Sequence, residues 1–203
     1  MGGLALIPRG PVTGMPDDPE LHRVAGLVRV VPEAHGELRF QSAFATPAAE
    51  ASSAEELAEA ERILLAARRR HPRDPRVRAA VGCYDLAAAR LERAERDYRG
   101  AVDQSGGYGE ARLGLGVALA DRAEGEGDEE AARGLRLAAI AQFAAVAERD
   151  SAYRPALFNR TLLLLRVGRE PEARRWAARY AALDPGPWSD ELADALGRAS
   201  RTP

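Results

Sequence analysis

The spacing of apolar and small residues along this chain changes near residue 52. From there they fall at three- and four-residue steps, as Leu57, Ala60, Leu64 and Ala67 do, which lines one face of an α-helix. Ser53 and Glu56 stand ahead of that run as a capping box, a pairing that satisfies the free N–H groups of a helix start. Asp74-Pro75 supplies a cap and a first-turn proline for the next helix, since proline lacks only a donor that is unpaired there anyway. Gly106-Gly107, "EGEGD" at 124–128, Gly168 and "DPGP" at 184–187 punctuate further helices. A last run opens at Trp188, with Leu192 and Leu196 one turn apart and Gly197 as its expected stop.

Residues 1–50 read differently. Prolines at 8, 11, 16, 19, 32 and 47 leave no helical stripe to expect there. The stretches "GLVRVV" (26–31) and "ELRFQSAF" (37–44) have room for short strands on either side of the turn-like "PEAHG". An isolated hairpin is marginal in water, so such strands need a surface to lie on. Composition alone predicts an irregular, flexible arm.

Composition then narrows the class. Hydrophobic residues make up 46% of the 203, but aromatics only 5%, with alanine dominant, so close-packed helices are favoured over sheets. The net charge of −2 gives no strong field toward nucleic acid or acidic membranes. All 29 basic residues are arginine, which fits either anion binding or the GC-rich coding of many bacteria. A single cysteine, Cys83, rules out an internal disulfide framework and reads as a small buried hydrophobe. No run of about 18 apolar residues is present to span a membrane as a helix. "GGLALIP" at the start is short and lacks a basic leader, so it is not read as a secretory signal. Cytoplasm is the default compartment, with the periphery of a membrane complex as a variant and an extracytoplasmic home left open.

The helical region also repeats. Gly82 is followed by Ala94, Tyr98, Ala101 and Gly106 at offsets of twelve, four, three and five, and Thr161 by Ala173, Ala177, Tyr180 and Pro185 at the same offsets. Ala60, Leu64, Ala67 and Pro72 give the second half of that unit, and Ala139, Phe143, Val146 and Ser151 give it again. Small residues first allow close helix crossing, and larger ones later fill the gap. A helical hairpin of about 34 residues built this way buries its face only against a neighbour.

Through Gly82/Ala94/Tyr98/Ala101, Gly116/Ala139/Phe143 and Leu157/Gly168/Ala173/Pro185 the chain resembles the tetratricopeptide repeat family, in its bacterial form. The resemblance covers residues 53–199 and implies an all-α solenoid of helix-turn-helix repeats preceded by the arm. The units are a half-repeat (53–74), a repeat (75–108), an expanded repeat (109–153), a repeat (154–187) and a capping helix (188–199). Arg160-Thr161 replaces the family's usual Leu-Gly pair, so looser packing is expected there. The middle unit separates Gly116 and Ala139 by 23 residues instead of twelve, which should lengthen both its helices and expose "EGEGD" as a tip.

In this family the first helix of each pair lines a concave face that binds a peptide or helix. By spacing, the positions that the resemblance places there are Ala79, Cys83 and Leu86, then Leu113, Val117 and Ala120, then Phe158, Leu162 and Leu165. All are apolar, with Asn159 beside them, so the clasp for a terminal carboxylate found in some family members is not expected. An open apolar groove invites aggregation. It calls for a cover, either a protein partner's apolar segment or this chain's own first 50 residues, where "GGLALIP" and "GLVRVV" are suitable.

Little catalytic chemistry is suggested. His22, His35 and His71 lack partners at ligand spacing, so neither a metal nor another cofactor is expected. "GLGVAL" from Gly114 lacks the third glycine of a dinucleotide loop and reads as helix packing. No nucleophile, base and orienting group assemble, and the chain is read as non-enzymatic. Arg68, Arg69, Arg70, Arg73, Arg76 and Arg78 crowd one turn. They suit phosphate headgroups, nucleic acid or an acidic protein face, or else a solvated helix end. Without interleaved aromatics nucleic acid is the weakest of these. The expectation is a scaffold or structural subunit of a protein assembly. The alternatives are a transient adaptor or assembly factor and a peptide-sensing regulatory domain.

Overall fold

A computed structural model describes residues 18–31, 38–40, 42–48 and 50–201. Among them the chain is helical almost throughout: α1 (Pro19–Leu27), α2 (Ala54–Arg70), α3 (Pro75–Ala87), α4 (Leu91–Gln104), α5 (Gly109–Glu124), α6 (Glu129–Ala144), α7 (Tyr153–Arg166), α8 (Glu170–Leu183) and α9 (Pro187–Ala199). Two short strands, β1 (Arg29–Val30) and β2 (Thr46–Pro47), pair in parallel. No helix among the described residues is long and apolar enough to cross a membrane.

Local chemistry accounts for the helix starts. Ser53 Oγ accepts from Glu56 N–H at 3.2 Å while Glu56 Oε2 accepts from Ser53 N–H at 2.7 Å, completing the expected capping box. Asp74 caps α3 through Arg76 N–H at 2.9 Å, with Pro75 in the first turn. The turns after α3 and α7 are built alike. Arg90 N–H reaches Asp85 C=O and Arg169 N–H reaches Leu164 C=O, both at 2.8 Å, a closure that needs a left-handed residue. Gly168 supplies it freely at φ 77°, and Ala89 supplies it under strain at φ 56°.

The arm departs from its sequence reading. Prolines did not prevent a helix, because Pro19 sits in the first turn of α1 and Asp18 caps it by accepting from Glu20 N–H at 3.1 Å. Leu21, Val24 and Val28 are the buried stripe. "GLVRVV" begins in α1 and continues into β1, whose partner is β2 rather than "ELRFQSAF", so the two apolar stretches are not a hairpin. "PEAHG" lies outside the described residues. Arg70 binds Asp18 at 2.6 Å at one end of α1, and Arg29 pairs with Glu56 at the other. These ties set α1 antiparallel to α2, so the half-unit at 53–74 gains a first helix from the arm.

Each helix packs mainly on its neighbours in sequence, and α3, α5, α7 and α9 also touch one another in series. These four form an inner layer. Tyr98 lies against Gly82 and Gly114, and Phe143 lies against Gly116, where a methyl group would enter the ring. Thr161 packs without looseness: it is fully buried and its hydroxyl donates to Leu157 C=O at 2.9 Å. Arg160 lies over the Trp176 ring at 4.0 Å.

The insertion lengthens both helices of the middle unit and leaves residues 124–128 exposed, as expected, but by less than its eleven residues. Both α5 and α6 have 16 residues against 13 to 14 in α3, α4, α7 and α8. However, α6 ends at Ala144 and the chain turns through 145–152 before α7, so the extra length at its start is partly lost at its end. Helix α9 runs past Gly197 to Ala199, because a helix interior tolerates glycine at a cost of only about 1 kcal/mol.

Asp85, on α3, is 5% exposed and 3.6 Å from Arg90. Burial and then the Asp97 carboxylate push it up from 3.8 to about 6, against the pull of Arg90. A carboxyl group held above its unfolded value stabilises the fold fully below that value and loses the contribution as pH rises through the folded one. Between pH 4 and 7 the expected loss is up to about 3 kcal/mol. Urea unfolding across that range should show wild type losing stability relative to Asp85→Asn. Parallel curves would remove Asp85 as the cause.

Candidate functional site

The nine inner positions from the sequence lie on α3, α5 and α7, and eight of them are no more than 4% exposed, with Leu165 half-buried. They are covered. Residues 38–40 and 42–46 lie across the inner layer as a strap.

At the α9 end, Asn159 holds the main chain of Arg39 twice. Its Oδ1 accepts from Arg39 N–H at 2.6 Å, and its Nδ2 donates to Arg39 C=O at 2.7 Å. The Arg39 guanidinium lies 5.1 Å from the Phe158 ring and 5.0 Å from the Trp188 ring, and pairs with Glu191. The two rings are 6.1 Å apart and inclined at 58°. Phe158 is braced from its other side by Tyr180, edge to face at 5.7 Å.

Midway, Glu110 of α5 takes the strap's polar groups. Its Oε1 accepts from Ala43 N–H at 2.8 Å and from the Ser42 hydroxyl, and its Oε2 accepts from Tyr108 at 3.3 Å. Burial raises the Glu110 carboxyl, and these three donors work against that rise. The Ser42 hydroxyl also sits beside the Cys83 thiol, which burial pushes up to about 12. So high a value leaves almost no thiolate near neutral pH, which agrees with the full burial of Cys83 in the core. Leu38 and Phe44 anchor the strap at 2% and 0% exposure. Its far end, β2, pairs with β1 beside α1, where Thr46 donates to Ala25 C=O at 2.6 Å.

The strap therefore touches α9, α7, α5 and α3 in turn and ends beside α1. Of the nine positions, Cys83 and Phe158 are in direct company with its polar groups. The described residues that cover the layer, 38–40 and 42–44, come from "ELRFQSAF"; "GLVRVV" lies instead in α1 and β1, and "GGLALIP" lies outside the described residues. Glu110, Trp188 and Glu191 were not anticipated. Glu110 was detectable, since it stands one turn before Leu113 and Val117 on the same face. Trp188 and Glu191 were hidden because α9 was read only as a terminal cap, with no side chains assigned to the inner layer.

The arginine cluster disperses into ion pairs. Arg68 and Arg78 approach Asp97 at 3.6 and 3.5 Å, Arg70 binds Asp18, and Arg76 binds Asp74 at 2.7 Å. Arg70, as the strongest donor, holds Asp18 below its usual range. Arg69 and Arg73 have no such partner among the described residues. His22 and His71 join no cluster suited to a metal ion among the described residues, and His35 lies outside them.

Compared with protein-family models, with curated proteins and with solved structures, the chain matches none.

Proposed function

We propose that this chain is a tetratricopeptide-type α-solenoid acting as a non-enzymatic protein-interaction module, a scaffold or structural subunit of a multiprotein assembly. One observation carries the reading. The inner layer holds a non-helical segment through its main chain, with Asn159 and Glu110 serving N–H and C=O groups that every peptide offers. A surface with that chemistry accepts polypeptide. The repeated turns at Ala89 and Gly168 and the small-to-aromatic pairs Gly82–Tyr98 and Gly116–Phe143 support the solenoid reading.

With the inner layer filled from within, the outer helices and the arm are the surfaces for a permanent assembly, at a membrane surface or away from one. A second reading, a transient adaptor or peptide-sensing domain, is favoured by the strap's upper limb, where Arg39 and Phe40 remain only half-buried. Purification at native abundance, with soluble and membrane fractions kept apart, separates the two. Partners at fixed stoichiometry are the expected result. A protein recovered only as a free monomer would overturn the subunit reading.

A further inference from the structure

We propose that the α7–α9 end of the inner layer is an arginine-reading site for non-helical polypeptide. The chain's own Arg39 occupies it, and an arginine of a partner segment replaces Arg39 when residues 38–40 withdraw. The inference rests on the interaction-module reading and adds the chemistry of the ligand.

Four groups converge on one residue of the strap. Phe158 and Trp188 present their rings to the guanidinium at nearly equal distances of 5.1 and 5.0 Å. Glu191 supplies the countercharge, and Asn159 fixes the main chain of the same residue in both directions. A planar, weakly hydrated cation suits two tilted rings better than a compact ammonium does. The site is thus selective for arginine at the side chain and tolerant of sequence at the main chain. Its preferred ligand is a segment with arginine behind an apolar residue and ahead of an aromatic one, as in Leu38-Arg39-Phe40.

Opening requires only the upper limb to leave. Phe44 and the β1–β2 pairing hold the lower limb on α1 and the core, independently of Arg39. Leu38 is the apolar residue that must come out with Arg39, and its place receives the partner's equivalent. A tethered limb competes at an effective concentration of about millimolar, so the wild-type site is closed to weak ligands and open to better ones. Local release of this kind is how a ligand-binding segment gains access without global unfolding.

The test uses a fluorescent peptide with the sequence LRFQSAFA and the full chain in four forms: wild type, R39A, R39A/E191Q and R39A/N159A. Circular dichroism checks that each remains folded. The peptide should bind R39A at least about ten-fold more tightly than wild type, because the competing side chain is gone. A peptide with lysine in place of its arginine should bind R39A about ten-fold more weakly. E191Q, a change at a half-exposed position, should weaken the arginine peptide several-fold even if N159A disturbs the fold. Equal binding by wild type and R39A, or equal affinity for arginine and lysine peptides, would overturn the site. Failure here with stoichiometric native partners intact would remove the arginine site alone and leave the interaction module standing.

Discussion

Replacing Phe44 with alanine should lower the unfolding free energy by about 3–5 kcal/mol, the usual cost of removing a large ring from a packed core. Phe44 is fully buried and belongs to the same core as Cys83, Leu113 and Val117. A strap that merely rested on the helices would lose a few tenths. Burying a ring of this size contributes about 1.5–3 kcal/mol by transfer alone, and the cavity left behind adds to that. Urea unfolding measures the change, and the transition should remain single because the strap and helices share one core. A loss below about 1 kcal/mol would mean that the segment is not part of that core.

The second large effect lies at the crossing of α5 and α6. Phe143→Ala should also cost about 3–5 kcal/mol, since the ring is 2% exposed and fills the space left by Gly116. Gly116→Val alone should cost about 2–3 kcal/mol, because the added atoms enter the Phe143 ring and overpacking outweighs the better helix propensity. In the Phe143→Ala background that penalty should fall by at least about 1 kcal/mol, as coupled neighbours require. Equal penalties in both backgrounds would separate the two residues.

Much of the helical architecture was legible because its cause is local. The Ser53–Glu56 box, Asp74-Pro75 and the left-handed turn at Gly168 act over four or five residues, and α2, α3 and α8 begin at these signals. The pairs Gly82–Tyr98 and Gly116–Phe143 were legible through periodicity. The arm was not. Proline frequency concealed α1, although Asp18-Pro19 followed by Leu21, Val24 and Val28 carries the same cap-and-stripe signature as α3. The course of residues 38–40 and 42–46 depends on Glu110, Asn159 and Trp188, which are remote in sequence, and no local pattern announces such an encounter. The nine positions were nominated from spacing, but spacing could not decide between the two covers that it left open, a partner's segment and the chain's own arm.

The most direct test of the strap uses the chain's only cysteine. Ser42 stands beside Cys83 across the inner layer. In Ser42→Cys, mild oxidation should form an intrachain disulfide, seen as the loss of two hydrogens in the intact mass and as a monomer on a non-reducing gel. The closed loop should raise thermal stability, because it restricts the unfolded chain. Two free thiols after oxidation, or dimers linked between chains, would place residue 42 away from Cys83 and contradict the covered inner layer.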